Sequence, residues 1–234
     1  MFRGYPFLLL FYNILNIHKS IINFILMPGQ ININTEFGKQ ISSICSNPKY
    51  NTFAEIGTWN GEGSTLCFIH GIVNQIKNNK NKRFYSVEAN KNMYNKALTF
   101  YSSHPCPFLY LLYGKVNNSS IMTREEIITH PLFKTIDEHY YLHYDDEVNS
   151  FNNSPYIGDK IPTEVDVVLL DGGEFSTEGD WQFFQNKNVK VFMLDDVNVI
   201  KCNNIRKILL NDKNYRLLSE NLNDRNGWSI FEKI

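Results

Sequence analysis

Five short apolar runs recur along the chain after residue 50, and longer stretches of mixed polarity separate them. The runs cover residues 52–57, 83–89, 108–114, 165–172 and 189–196. Apolar runs with little polar alternation are typical of parallel strands that are buried on both faces. The pattern therefore predicts an α/β fold in which helices cover a parallel sheet.

The stretches around these runs have the periodicity of amphipathic helices. Helices are predicted at 36–46, 62–77, 91–102, 177–186 and 199–211. The chain then ends in YRLLSENLNDRNGWSIFEKI, where an Asn-Asp-Arg-Asn-Gly segment separates two strand-like runs. This ending predicts a hairpin, so at least one late strand runs antiparallel to the others.

One long interruption, residues 115–162, divides the alternation. Thr123 and Glu126 have the spacing of a capping box and predict a short helix. The acidic, aromatic and turn-rich stretch that follows is longer than a loop that only connects two elements, and we interpret it as a lid-like insertion that faces the substrate. Its aromatic cluster at 133–144 either lines the wall of a ring-shaped substrate's site or packs at the surface. His139 and His143 have the spacing of two zinc ligands on one helical face, or belong to an exposed lid.

The N-terminal segment, residues 1–35, is an apolar extension of uncertain status. Polar residues between Asn13 and Asn23 interrupt it, so it falls short of the roughly 20 apolar residues that a membrane-spanning helix needs. It is a weak signal or anchor through residues 2–27, a helix packed on the domain, or an upstream extension with Met27 as the working start. We favour the last two, with the domain proper at 36–234.

Composition and charge narrow the class of protein. With 234 residues, 43% of them hydrophobic, the chain fits one globular domain. A formal net charge of −1 disfavours a protein that grips the phosphates of nucleic acid. The four cysteines form no CxxC pair and predict reduced core thiols, and hence an intracellular, cytoplasmic location. Nothing in the sequence sets the oligomeric state.

The segment FAEIGTWNGEGST, residues 53–65, follows the pattern acid-x-Gly-x-x-x-Gly-x-Gly at the end of the first predicted strand. Ligands of parallel sheets bind at this end of the strands, and glycines let the backbone approach them closely. The acid, Glu55, suits a cationic ligand, such as the ammonium group of a sulfonium-bearing amino acid. The second strand ends at Glu88, whose carboxylate can accept hydrogen bonds from both ribose hydroxyls. The candidate cofactor residues are Glu55, Gly57, Thr58, Gly61, Gly63, Ser64 and Glu88.

In the glycine-rich loop and Glu88 the chain resembles the class I S-adenosyl-L-methionine-dependent methyltransferases. The resemblance covers roughly residues 36–234. It implies a Rossmann-like, doubly wound, seven-stranded sheet with strand order 3-2-1-4-5-7-6 and one antiparallel strand near the C-terminus. It also implies that the cofactor is S-adenosyl-L-methionine.

Three acids follow the fourth and fifth predicted strands, namely Asp171, Asp195 and Asp196. In the implied strand order these strand ends are neighbours. Carboxylates that meet at a partly buried point repel one another unless a cation joins them or some of them are protonated. Oxygen ligands suit Mg²⁺, which would lower the pKa of a substrate hydroxyl and orient it.

These positions resemble those of the cation-dependent O-methyltransferases of the catechol type and of the macrolide and aminocoumarin sugar type. The resemblance implies Asp171, Asp195 and Asp196 as metal ligands and a base two or three residues after Asp171. Gly173 occupies the first of these positions and Glu174 the second, so Glu174 is the candidate base beside Asp171. The chain departs here from the lysine or aspartate of those families. Alternatively, Glu174 and Asp196 cap the helices that follow them.

The sequence thus predicts a methyltransferase that uses Mg²⁺ to methylate a hydroxyl of a small molecule or sugar. Two alternatives remain open. One is a metal-independent methyltransferase that acts on a carboxylate or amine, and the other is an inactive protein that only binds the cofactor.

Overall fold

The apolar runs form the parallel part of a central sheet. The computed structural model describes residues 31–76, 81–118 and 121–234. The strands are β1 (Thr52–Ile56), β2 (Arg83–Glu88), β3 (Leu109–Tyr113), β4 (Val167–Leu170), β5 (Val191–Asp195), β6 (Tyr215–Asn221) and β7 (Trp228–Lys233). The helices are α1 (Glu36–Cys45), α2 (Ser64–Ile76), α3 (Lys91–Ser103), α4 (Arg124–Ile128), α5 (Asp137–Asn153), α6 (Thr177–Gln185) and α7 (Ile200–Asn211). Short 3₁₀ turns lie at Phe133–Thr135 and Gly158–Lys160.

The strand order is β3-β2-β1-β4-β5-β7-β6, as predicted. The first five strands are parallel, and β7 runs antiparallel to both of its neighbours, β5 and β6. Ile56 at the end of β1 pairs with Leu170 at the end of β4, and Leu170 pairs with Leu194 of β5. The register therefore brings the residues that follow β1, β4 and β5 to one edge of the sheet.

The central strands are apolar on both faces because a separate hydrophobic cluster covers each face. In β1, Phe53 belongs to the cluster under helices α1 and α2, whereas the next residue, Ala54, belongs to the cluster on the opposite face. Val167 and Val168 of β4 divide in the same way. Successive strand side chains point to opposite faces, so a strand between two cores shows no polar alternation.

Several helices begin where the sequence supplies a side-chain acceptor. Thr35 caps α1 by accepting the backbone N–H of Gly38 at 3.1 Å. The predicted capping box is confirmed, because Thr123 accepts from the backbone of Glu126 while the Glu126 carboxylate accepts from the backbone N–H of Thr123 at 2.7 Å. The first residue described, Ile31, is buried in the core cluster.

The insertion differs from the sequence interpretation. The stretch read as turn-rich contains α5, a helix of 17 residues. Its helical signal is weak because Tyr141 and Leu142 lie exposed among polar residues, which blurs the amphipathic pattern. Tyr140 and Tyr144 are buried on its inner face against Phe175. A third apolar cluster therefore lies under the insertion and stabilises a helix that the local sequence only weakly favours.

Two further predictions concern the N-terminal segment and the cysteines. The N-terminal segment up to residue 30 lies outside the described residues, and within the described part of the chain no helix has the length and apolar character needed to cross a bilayer. All four cysteines are unbonded, and Cys45, Cys67 and Cys202 are buried.

Glu232 at the end of β7 ties the sheet to the loop before β1. Its carboxylate accepts from Lys49 at 2.7 Å, from the Tyr50 hydroxyl at 3.0 Å and from Arg216 at 2.7 Å. The bond to Lys49, followed by the bond to Arg216, lowers the pKa of Glu232 to about 2. The folded state therefore favours the charged carboxylate.

We expect Glu232→Gln to lower the free energy of unfolding at pH 7 by about 1–2 kcal/mol. This is less than the full pKa shift would give, because Lys49 and Arg216 are exposed and water screens their charges. Because the pKa is depressed in the folded state, the contribution is complete above the unfolded value near 4.5 and is lost as the pH falls towards 2. Denaturant unfolding at pH 7 and pH 3 measures this, with the exposed Glu164→Gln as control. An equal loss at both pH values would contradict the ion-pair account.

Candidate active site

A cleft of about 750 Å³ opens at the carboxyl edge of the sheet, above β1, β2, β4 and β5. Gly57 and Glu88 line one half of it, which we call the cofactor half after its predicted ligand. Asp171, Asp196 and residues of α5 line the other, which we call the acceptor half. Pockets for small ligands commonly measure about 300–1,000 Å³. The cleft therefore has room for a nucleoside-sized ligand in one half and a small second molecule in the other.

Gly57 allows β1 and β4 to meet at the floor of the cleft. Its φ is +97°, and a Cβ there would lie 2.0 Å from the backbone oxygen of Asp171. The Gly57 N–H donates to the Val87 carbonyl at 3.0 Å, and the Asp171 N–H donates to the Ile56 carbonyl at 3.0 Å. Glycine is required here by the left-handed backbone and by the neighbouring chain.

The other two glycines of the loop have different surroundings. Gly61 has a φ of +84° and packs on α3, where the Tyr101 hydroxyl donates to its carbonyl at 2.6 Å. Gly63 lines the cleft at the start of α2, and a Cβ there would have one near neighbour, the Ile31 carbonyl at 3.3 Å. Gly61 thus supports the loop, and Gly63 leaves backbone accessible beside the first turn of a helix, whose N–H groups have no partner within the helix.

Glu55 lies beneath the glycine-rich loop and does not itself line the cleft. Its side chain is fully buried beneath the loop, and its carboxylate accepts from the hydroxyls of Ser64, of Thr65 at 2.7 Å and of Ser86 at 2.7 Å. Burial raises the pKa of Glu55 to about 7, against these hydrogen bonds. Glu55 therefore fixes the start of α2 to β2, and it reaches the cleft only through Ser64, which lines it.

Glu88 does line the cleft, at the end of β2. One of its carboxylate oxygens accepts the backbone N–H of Trp59 and the other that of Asn90, both at 2.7 Å. Burial raises the pKa of Glu88 to about 7. Thr58, from the same loop, shares a 2.6 Å hydrogen bond with the buried Ser86 hydroxyl. The carboxylate of Glu88 is thus held in one orientation at the edge of the cofactor half.

The three acids come together at the ends of β4 and β5. Asp171, Asp195 and Asp196 each offer a carboxylate oxygen within 4.8 Å of the other two. Asp196 has a φ of +57°, which turns the chain sharply after β5. Its Oδ1 is buried and has no hydrogen-bond partner among the described residues.

Two cations that the sequence analysis missed stand beside these acids. The Lys201 ammonium lies 2.5 Å from Asp171 and 2.9 Å from Asp196. Arg225, in the hairpin between β6 and β7, lies 3.0 Å from Asp195. Burial disfavours the charge of Lys201, but Asp171 and Asp196 hold its pKa well above the usual value. No local pattern marks Lys201, because its position follows from how the first turn of α7 faces β4.

The donor set nevertheless fits a divalent cation. Three carboxylates converge, and the buried Oδ1 of Asp196 lacks a partner in the described structure. Hard cations of the Mg²⁺ type prefer such oxygen ligands. Lys201 and Arg225 offset two of the three negative charges, so they weaken the electrostatic attraction for a metal without removing it.

Glu174 faces the acceptor half of the cleft and also caps a helix. Its Oε1 accepts the backbone N–H of Lys201 at 3.1 Å, so it caps α7 and not the nearer α6 of the alternative interpretation. Asp196, the other suggested cap, binds the Lys201 side chain. Burial raises the pKa of Glu174 to about 7.

Helix α5 forms the outer wall of this half. His139 and His143 line the cleft. Within the described ranges, the three aspartates are the only group of three or more His, Cys, Asp or Glu residues that could hold a metal, so the histidine pair has no third ligand there. Tyr140 and Tyr144 are buried on Phe175, as in the packing alternative for the aromatic cluster.

Comparisons with known proteins concern the fold. No family model matches the chain, and a comparison with curated protein sequences finds no significant match. Among solved structures, a methyltransferase of Podospora anserina bound to S-adenosylhomocysteine has 11% identity and a TM-score of 0.56, over 99% of this chain and 90% of that one.

Two further structures are similar to this chain over nearly its whole length. An O-methyltransferase of Bacillus cereus in complex with S-adenosylhomocysteine has 12% identity and a TM-score of 0.54, over 95% of this chain and 91% of that one. TomG of Streptomyces achromogenes, an O-methyltransferase involved in tomaymycin synthesis, has 11% identity and a TM-score of 0.54, over 95% and 88%. The chain therefore has the Rossmann-like fold of class I methyltransferases.

We expect Gly57→Ala to lower the free energy of unfolding by about 2–4 kcal/mol, because it adds left-handed strain and an overlap with the Asp171 backbone. Gly63→Ala, in the same loop but with a nearest neighbour at 3.3 Å, is the matched control and should cost far less. Denaturant unfolding of both variants measures the difference. Equal costs would show that the junction of β1 and β4 can relax.

Proposed function

We propose that this protein is an S-adenosyl-L-methionine-dependent methyltransferase that methylates a hydroxyl of a small molecule or sugar, with Mg²⁺ at the three aspartates. One observation carries the proposal. A single cleft has the glycine-rich loop and Glu88 on one side and Asp171 and Asp196 on the other, with the buried Asp195 beside these two acids, at adjacent strand ends. A nucleoside cofactor and an acceptor could therefore meet within one site.

The cofactor half would bind through the loop and Glu88. We assign the ribose hydroxyls to Glu88, whose orientation the Trp59 and Asn90 amides fix. Gly57 and Gly63 would let the backbone approach the ligand, and Ser64, held by Glu55, would meet its amino acid group. In this arrangement Glu55 would position Ser64 and would not contact the ligand itself.

The acceptor half would align and deprotonate the hydroxyl. Asp171, Asp195 and Asp196 would hold the metal, which when bound would lower the pKa of the acceptor hydroxyl. Glu174, the base named from the sequence, lies at this half with a raised pKa. Alignment matters most, because methyl transfer from a sulfonium requires the attacking oxygen in line with the sulfur–carbon bond.

A second candidate is metal-independent methyl transfer to a carboxylate or amine, and the position of Lys201 favours it. Its buried ammonium bridges Asp171 and Asp196, and Arg225 pairs with Asp195. Such an internal cation could balance the acids in place of a metal and orient the acceptor directly. A third candidate is a protein that binds the cofactor but transfers no methyl group.

We expect Glu88→Ala to weaken the binding of S-adenosylhomocysteine by about 10–100-fold, because hydrogen bonds to a charged group contribute about 1.5–3 kcal/mol. Isothermal titration calorimetry measures the change. The thermal midpoint of Glu88→Ala, measured alongside, shows whether the Trp59 loop is still folded. Unchanged affinity in a folded variant would contradict the ribose assignment.

We expect Mg²⁺ to bind the wild-type protein with a measurable heat. We expect Asp195→Asn to weaken that binding at least about tenfold, because losing even a residue that only hydrogen-bonds a metal ligand typically lowers metal affinity about 10–100-fold. The experiment titrates Mg²⁺ into protein saturated with S-adenosylhomocysteine, with the exposed Glu164→Gln as control. Methyl transfer is then followed with and without a chelator.

The outcomes separate the candidates. Loss of transfer with chelator supports the proposed metal site. Transfer that survives chelator, with no Mg²⁺ heat, shifts the function to the metal-independent candidate. Binding of S-adenosylhomocysteine without transfer to any acceptor indicates the cofactor-binding protein, and absence of binding contradicts all three.

A further inference from the structure

Besides the aspartates and Glu174, a further carboxylate enters the acceptor half, and it comes from the insertion. Glu147 of α5 lines the cleft and follows His139 and His143 at four-residue steps, so the three side chains share one face of the helix. Glu147 belongs to no pattern that the sequence analysis recognised. Its place depends on how α5 packs, through Tyr140 and Tyr144, onto the loop after β4.

The Glu147 carboxylate occupies the space above Gly173. Its Oε1 accepts the backbone N–H of Phe175 at 2.9 Å and lies 2.1 Å from where a Cβ of Gly173 would be. Gly173 follows Asp171 by two residues. The absence of a side chain at 173 thus makes room, two residues after Asp171, for a carboxylate that arrives from another element.

The surroundings of Glu147 set its basicity. Burial raises its pKa, and hydrogen bonds from Phe175 and Ser176 oppose this. The titratable groups that face it are Glu174 and Asp180 from the segment β4–α6, Lys201 from α7, and Tyr144 and His143 from its own helix. A buried carboxylate with a raised pKa is a stronger base than a carboxylate in water.

We propose that Glu147 is the general base that removes the proton from the acceptor hydroxyl. This inference rests on the proposed function. The O–H bond breaks and leaves its electron pair on oxygen, while the proton passes to the Glu147 carboxylate. The oxygen forms a bond to the methyl carbon, the sulfur–carbon bond breaks with its pair kept by sulfur, and Glu147 then releases the proton to solvent.

Glu147 and Glu174 each use Oε1 to accept a backbone N–H, from Phe175 at 2.9 Å and from Lys201 at 3.1 Å. They differ in the element that carries them, because Glu174 belongs to the loop after β4, whereas Glu147 comes from the insertion, which forms the outer wall of the acceptor half. The comparison of Glu147→Gln with Glu174→Gln decides between them. The competing explanation is that Glu147 only tethers α5 to the loop through Phe175.

The test uses Glu147→Gln in the full chain. The amide oxygen of glutamine can still accept from Phe175, so the tether remains while the basicity is lost. The probes are a catechol and a free hexose, with S-adenosyl-L-methionine carrying a labelled methyl group. We expect kcat to fall at least about 100-fold, with KM, the affinity for S-adenosylhomocysteine and the thermal midpoint nearly unchanged.

The pH profile gives a second readout. In the wild-type protein the rate should fall as the pH drops below the pKa of Glu147, because the protonated carboxyl cannot accept a proton. That acidic limb should disappear in Glu147→Gln. A structural tether would leave the limb in place.

A rescue variant tests position. In Glu147→Ala/Gly173→Asp the loop itself carries a carboxylate into the vacated space. The backbone at 173 allows this because its φ lies outside the left-handed region, and the Ser176 hydroxyl, 2.7 Å from the added Cβ, has to rotate away. We expect at least about tenfold recovery of kcat over Glu147→Ala. Glu138→Gln, an exposed acid on the same helix outside the cleft lining, is the control and should keep wild-type rates.

Failure of this inference and failure of the proposed function have different signatures. If the wild-type protein methylates a probe and Glu147→Gln keeps its kcat, or Glu174→Gln loses more, Glu147 is not the base. If the wild-type protein forms no methylated product from either hydroxyl probe, the proposed acceptor class fails, and the base role is overturned with it.

Discussion

The site depends on the close approach of two backbones at Gly57 and Asp171. A Cβ at Gly57 would lie 2.0 Å from the backbone oxygen of Asp171, so the chain leaving β1 can lie this close to the chain leaving β4 because residue 57 is glycine. This contact sets the cofactor loop against the first acid of the acceptor half. The hydrophobic clusters on both faces of the sheet then hold the two strand ends in register.

Charge balance is the second constraint on the acceptor half. Three aspartates meet there, and Lys201 and Arg225 offset part of their repulsion from two separate elements. The buried Oδ1 of Asp196 has no hydrogen-bond partner among the described residues, so an oxygen that could bind a metal remains beside the two cations. The internal cations therefore bear directly on whether the proposed methyl transfer would require a metal.

Sequence patterns identified strand ends well and side-chain directions poorly. The glycine-rich loop, Glu88, Asp171 and Asp196 lie around one cleft, with Asp195 buried beside the two aspartates, because parallel strands end at a common edge. Glu55 has the right spacing, but its carboxylate turns inward to three hydroxyls instead of towards the cleft. Spacing along a chain cannot show which face of a buried strand end meets solvent.

The period of the apolar residues was enough to predict the class of fold, and the glycines and acids after the runs were enough to predict which strand ends form the cleft. The strand order came from the resemblance to a known family and not from periodicity. Only the tertiary structure decided that Lys201 and Arg225 stand beside the acids, that Glu174 caps α7, and that Glu147 lies over Gly173. These contacts join residues distant along the chain. They arise from the packing of α5, α7 and the terminal hairpin onto the sheet edge, which no local pattern encodes.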